Sequence, residues 1–206
     1  MSNLNKPIWF NEEKKDEGDT NVIEINVGGK GGRSPYRIMV CTPCHSDVTM
    51  HYTQAVLKFQ QECLQRNILV SFTLLKSSLV TQGRNLCVAE MLNHEDNYTH
   101  LLFIDSDIDF NGSTIFKMLE LDKDVISCPY PMKMLSWDKV WRRYHEKVDA
   151  VKTADDLAKS GYTFPVKIED PNNIQSEKGV IELSHAPTGC MLIKRHVIQD
   201  MIDNHP

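Results

Sequence analysis

No stretch of this 206-residue chain holds the roughly 18 consecutive apolar residues that a membrane-spanning helix needs, so no segment is expected to cross a bilayer. The opening residues, MSNLNKPIWFNEEKKDEGDT, lack an apolar core behind a basic start. No secretory signal is expected there, which points to a cytoplasmic protein. An excess of basic residues is also missing. The net charge of −5 argues against a general nucleic-acid binder. A second C-x-x-C is absent as well. CTPCH, Cys41 to His45, matches the haem-attachment pattern letter for letter and also resembles half of a zinc site. An unexported chain is not expected to carry such a haem, and one half-site does not complete a zinc centre. No haem is therefore assigned to Cys41 and Cys44. The remaining cysteines, Cys63, Cys87, Cys128 and Cys190, lie in apolar segments where a reduced thiol acts as a small hydrophobe, and disulfides are not expected.

What remains is an ordinary globular composition, 41% apolar and 25% charged, in a length suited to one sizeable domain. Residues 1–20 read as a flexible polar lead, and 21–206 as the folded domain, with no internal repeat and no clean second domain. GGKGG is a hairpin or linker rather than a phosphate loop, because Lys30 is followed by Gly and no helix opens after it. From there the pattern alternates. YRIMVC is a short strand ending at Cys41, and Thr42 to Asp47 form a loop. A helix follows with Tyr52, Ala55, Val56, Phe59 and Cys63 facing inward. ILVSFTLL is a strand whose face with Ile68, Val70, Phe72 and Leu74 is the more apolar. QGRNLCVAEMLN is helical, with Leu86, Ala89 and Leu92 inward. THLLFID is a central strand buried on both faces, STIFKMLELD a helix and DVISC another buried strand. The spacing predicts an α/β fold: an open, mostly parallel sheet flanked by helices. Beyond it, KTADDLAKSG is a short helix capped by Thr153 and stopped by Gly161. FPVKI, GVIEL and CMLIKR are strands, and HVIQDMIDN is a terminal helix. WDKVWRRYHEK is amphipathic, with Trp137 and Trp141 expected to pack inward.

The chemistry concentrates in LLFIDSDIDF. A buried strand runs straight into Asp105, Ser106 and Asp107, and in an extended segment residues two apart point the same way. Two carboxylates side by side repel unless a divalent cation joins them, and hard oxygen ligands favour Mg²⁺ or Mn²⁺. A solvated acidic turn is the plainer alternative, since DFNG supplies turn residues. Arg84 and Asn85 open a helix after a strand, where a guanidinium reaches phosphate or a base edge.

The ordered set VCTPCHSD, SLVTQGRNLCVAEML, THLLFIDSDIDF, DKDVISCPYPMK and APTGCMLIKRHVI resembles the metal-dependent GT-A glycosyltransferases. The likeness is to their bacterial, phage and large-virus branch, loosely akin to Anp1-type mannosyltransferases, and it runs from about residue 36 to the end. It implies a Rossmann-like nucleotide-diphospho-sugar transferase with a DxD motif. The partners implied are a nucleotide-diphosphate sugar donor and a glycan or other hydroxyl acceptor, with Mn²⁺ or Mg²⁺ as cofactor. Thr42 would line the nucleotide pocket, Arg84 and Asn85 would contact the nucleotide or its diphosphate, and Asp105 would lie near the ribose. Asp105, Ser106 and Asp107 form the donor motif, with Asp105 and Asp107 as the carboxylates offered to metal and Asp107 its coordinating residue. Tyr130 to Lys133 would border the donor sugar, and Thr188 and Gly189 the acceptor side. The family's base and a further His ligand lie beyond the stretch matched by GCMLI and its helix. Either the chain is a fragment or those roles have moved. Glu182 and His185 are candidates, more readily read as structural or exposed.

Three other readings compete. A nucleotidyltransferase wants a Gly-rich basic loop that CTPCHSD does not supply. A haloacid-dehalogenase-type phosphatase carries its DxD near the domain start, whereas here much α/β structure precedes it. A catalytically inactive nucleotide-sugar-binding domain shares every feature except turnover.

Overall fold

RIMVC and HLLFI are apolar at successive positions, so they bury both faces of a strand, and they become the centre of a six-stranded sheet. The computed structural model describes residues 22–27, 34–146, 152–170 and 172–204, the first of these as backbone alone. The polar lead and the GGKGG segment lie outside the described residues. The chain divides into two compact units where no clean boundary was visible in the sequence. One takes in the described residues up to Ser127 and from Thr188, and the other is Cys128–Pro187.

In the first unit the sheet strands, numbered along the whole chain, are β1 (Val22–Val27), β2 (Arg37–Cys44), β3 (Leu69–Lys76), β4 (His100–Ile104), β5 (Val125–Ser127) and β10 (Cys190–Lys194). Their order is β1-β3-β2-β4-β10-β5. β2, β3, β4 and β5 run one way, while β1 and β10 run against them. The fold is thus α/β with a mixed, mostly parallel sheet flanked by helices, compatible with a Rossmann-like arrangement. Strands β2 to β5 alternate with α1 (Met50–Gln65), α2 (Val80–Asn93) and α3 (Gly112–Glu120), and α6 (Arg195–Asn204) follows β10. β2 does not stop at Cys41 as expected. It continues through Cys44, paired with β3 as far as Lys76.

Alternation along the strands sorts the core into two layers. Met39, Cys41, Leu75, Leu101 and Phe103 meet Cys87 and Met91 of α2 and Ile198 of α6. On the other face Phe59 of α1 meets the ring edge of Phe72 from β3 and, tilted, that of Phe116 from α3. Burying one such side chain fully stabilises the fold by roughly 1.5–3 kcal/mol. α1 starts at Thr49, whose hydroxyl accepts from the Tyr52 amide, and it buries Tyr52, Ala55, Phe59 and Cys63 as its spacing predicts. α2 departs from expectation. Gly83, Cys87 and Met91 face the core, and Leu86 and Ala89 are exposed. Arg195 closes that helix: its Nη1 donates to the Met91 carbonyl at 2.9 Å and its Nη2 to Leu92 at 2.6 Å, satisfying carbonyls at the last turn.

The second unit holds α4 (Trp137–His145), α5 (Ala154–Lys159) and four short strands, β6 (Lys167–Ile168), β7 (Ser176–Glu177), β8 (Val180–Ile181) and β9 (Leu183–His185). β6 pairs with β9 and β7 with β8, both antiparallel. Thr153 caps α5 in a capping box with Asp156. α5 ends at Lys159 with Ser160 as its cap, just before Gly161 as expected, and Gly161 also serves packing: a Cβ there would stand 2.6 Å from Leu135 and Val140. Lys178 and Gly179 both take positive φ, 52° and 79°, as a two-residue turn between β7 and β8 requires. Trp137 and Trp141 reverse the expectation of inward packing. They are 72% and 67% exposed, and α4 buries no residue.

Candidate functional site

In an open α/β sheet, ligands bind outside the carboxyl ends of the strands where the connections diverge. Here β2 leads by α1 to β3 on one side, and β4 lies on its other side, so the crevice falls between the ends of β2 and β4. The loops there are joined through the main chain. The Thr49 amide, at the α1 cap, donates to the Ser106 carbonyl at 3.0 Å. The Asp105 amide donates to the Gly189 carbonyl at 2.9 Å, tying the DSD segment to PTGC. That second link exists because β10 lies antiparallel beside β4, with Cys190 opposite Ile104.

Asp105 to Asp107 are not extended, as the sequence reading assumed. β4 ends at Ile104, and the Ile108 amide donates to the Asp105 carbonyl at 3.1 Å, closing a turn with Ser106 and Asp107 at its centre. Arg84 reaches this turn from α2: Nη2 donates to Asp105 Oδ1 at 3.1 Å, and the guanidinium stands over the Phe103 ring at 5.5 Å. Its Nε is buried without a hydrogen-bond partner. Gly83 makes this reach available. A Cβ there would lie 3.1 Å from both the Pro43 and Ser77 side chains, so a glycine lets α2 approach the strand ends without pushing them aside.

Of the residues expected at the site, Arg84, Asp105 and Ser106 come together with Gly189. Asp107 is exposed in the same turn, and Asn85 is exposed beside Arg84. Thr42 has no accessible surface, and its hydroxyl shares a hydrogen bond with that of Tyr52. Burial pushes the Tyr52 phenol up to about 12. Thr42 therefore braces α1 against β2, and Pro43 and Cys44 are the β2 residues that reach the rim. Tyr130, like Glu182 and His185, belongs to the second unit; Glu182 and His185 are exposed. The sequence reading missed Thr49, Gly83 and Phe103. The first two carried signals, a cap residue before an amphipathic run and a glycine just ahead of Arg84.

The CTPCH pattern resolves geometrically. Cys41 and Cys44 stand three apart in one strand, so their side chains leave opposite faces. Cys41 points into the core, where its hydrogen bond to Cys87 lowers the Cys87 thiol against the effect of burial, and burial pushes Cys44 up. Among the described residues, no group of three or more His, Cys, Asp or Glu side chains converges as a metal cage. Mg²⁺ held by one or two carboxylates plus substrate phosphates does not require one.

A cavity of about 680 Å³ lies at the opposite, amino edge of the sheet, lined by Tyr36, His100, Asp122 and Lys194 among others. Most of its charged groups are already engaged. Lys194 meets Asp122 and Asp124 at 3.0 and 3.2 Å, and burial followed by Lys194 pushes His100 down to about 4. No helix among the described residues is long and apolar enough to cross a membrane. No family model, curated protein or solved structure matches this chain.

Proposed function

We propose that the chain is a metal-dependent glycosyltransferase with a GT-A-like domain, moving a sugar from a nucleotide-diphosphate donor to a hydroxyl of a glycan or other acceptor. One observation carries the reading: segments far apart in sequence, around Thr49, Arg84, Asp105 and Gly189, meet in one hydrogen-bonded cluster at the carboxyl edge of the sheet. The donor chemistry suits the groups present. Asp105 is held by Arg84, so its remaining lone pairs suit the hydroxyls of a ribose, while Asp107, exposed at the tip of the turn, is the carboxylate for Mn²⁺ or Mg²⁺. The ion, when bound, neutralises charge growing on the departing diphosphate. Arg84 keeps guanidinium donors for the same phosphates, and Asp105 and Phe103 orient them. Gly189 fixes the backbone of the turn from the β10 side.

Calorimetric titration of UDP, GDP and their sugar conjugates, with Mn²⁺ and then with EDTA, tests this. Metal-dependent binding of one nucleotide is expected, weakened at least about tenfold in Asp107→Ala, the loss of roughly one charge-assisted contact. Unchanged binding by that variant would move the metal elsewhere. A folded protein that binds no nucleotide would sink the reading. Binding without release of nucleotide from any donor sugar, whatever acceptor is offered, would favour the inactive binding domain.

A further inference from the structure

The cavity at the amino edge of the sheet, about 680 Å³, has the size of a small-molecule site and takes no part in the donor cluster. One of the side chains lining it is a histidine whose tautomer is fixed by its neighbours. The Thr99 hydroxyl accepts from the Arg37 amide at 2.9 Å and donates to the Arg37 carbonyl at 3.0 Å. That donation uses its single proton, so in its 2.9 Å contact with His100 Nδ1 the ring N–H is the donor. Burial, followed by Lys194, keeps the ring neutral. His100 is 8% exposed, and its Nε2 is left as an acceptor without a partner among the described residues. A buried acceptor in that state calls for a donor from outside the chain.

Position sets the shape of the ligand. His100 stands opposite Ile38 and Lys194 and shares their face of the sheet, with the Tyr36 ring edge-on at 5.8 Å. Arg37 precedes Ile38 and leaves the other face. There its Nε donates to the Asn97 carbonyl at 2.9 Å, and its terminal nitrogens have no partner among the described residues. Both residues line the cavity, as does Asp200 of α6, so the cavity straddles the strand ends and suits an elongated ligand. Charge argues against a phosphate. Lys194 is held by Asp122 and Asp124, and Arg37 has Asp200 in the same lining. A peptide strand fits no better, because the main chain here is engaged. The Thr99 amide donates to the Arg37 carbonyl at 2.8 Å, and the Arg195 amide to the Thr99 carbonyl at 2.9 Å. What remains is acceptors on His100 and Asp200, donors on Arg37 and a half-buried Tyr36 ring. Hydroxyl groups donate and accept at once, and a sugar carries them along an uncharged frame with an apolar face for an aromatic ring. We propose that this cavity binds a neutral oligosaccharide across the amino edge of the sheet. The proposal does not depend on the donor-site reading.

Calorimetry on the full chain tests this with hexasaccharides of α-linked glucose, β-linked glucose, α-linked mannose and β-linked N-acetylglucosamine. At least one is expected to bind. EDTA, which removes the donor binding proposed above, should leave that binding unchanged, so the two readings fail separately. Asp200→Ala and Arg37→Ala, both at exposed positions, should each weaken it about tenfold, the loss of one charge-assisted hydrogen bond. In the imidazole nitrogen spectrum of the wild type, the bound sugar should shift the His100 Nε2 signal, which a merely structural histidine would not show. If none of the four sugars binds the folded wild type, the proposal is overturned. It is overturned equally by a sugar whose binding ignores both variants and leaves the His100 signal in place. Pyrophosphate that binds in place of the sugar, and is lost in Arg37→Ala, would assign the cavity to an anion and overturn it too.

Discussion

The two edges of the six-stranded sheet use their polar side chains in opposite ways. At the amino edge both terminal nitrogens of Arg195 are bonded, to the carbonyls of Met91, Leu92 and Tyr98, and Lys194 is saturated by Asp122 and Asp124. At the carboxyl edge Arg84 makes one bond, to Asp105, and keeps Nε buried without a partner. A cation saturated by its own protein holds the fold together. One that is fixed in place but incompletely bonded retains donors for a ligand, and a buried polar group left unsatisfied in a native structure calls for that kind of explanation. The cavity of about 680 Å³ lies at the edge whose cations are already bonded, so concavity and readiness for an anion point in different directions here.

Exchanging the two arginines for alanine should break the comparison most visibly. Arg195→Ala removes hydrogen bonds to three carbonyls and is expected to cost about 3 kcal/mol in urea unfolding, with nucleotide affinity unchanged. Arg84→Ala, part-buried but singly bonded, should cost about 1 kcal/mol and weaken nucleotide binding about tenfold or more. If both variants lost stability equally, the edges would not differ. His100 sharpens the same contrast through pH. Its folded value, about 4, lies below the ordinary 6.5, so folding favours the neutral ring. Its contribution is complete above about pH 6.5 and is lost as pH falls toward 4, by up to about 3 kcal/mol. His100→Gln should flatten that part of the profile, read as urea midpoints between those limits. The smallest effect on stability is expected from Gly83→Ala, near neutral, because about 1 kcal/mol of helix propensity offsets the few tenths of an ångström by which Pro43 and Ser77 must each give. The same shift should loosen the Arg84–Asp105 pair, read as weaker nucleotide binding.

Much of the first unit was legible because its signals are local. The alternation of apolar strands with capped helices and the buried run into Asp105 need only neighbours in sequence, as does the Thr153 cap in the second unit. Three things were not. The inward face of α2 is misread because apolar residues surround that helix: Leu86 and Ala89 look like core residues, while the true seam runs through Gly83 and Cys87. The outward turn of Trp137 and Trp141 contradicts the rule that large rings are buried, and a local rule contains nothing about what else meets them. The antiparallel insertion of β10 depends on pairings with residues almost ninety positions away, of which CMLIK by itself gives no sign. For the site, the residue types at Arg84 and Asp105 were readable, and the turn that replaces an extended DSD was not.

The place of β10 also sets an order of events during synthesis. β5 is hydrogen-bonded in this sheet to β10 alone, and β10 is made only after all of Cys128–Pro187 has followed β5 out of the ribosome. Until then the edge of β4 is open and β5 has no partner in the sheet. Contacts of such long sequence separation slow folding and lengthen the time during which an apolar strand edge is exposed to other chains. A nascent chain stalled before residue 190 should therefore be protease-sensitive around β4 and β5, and the full-length chain resistant there.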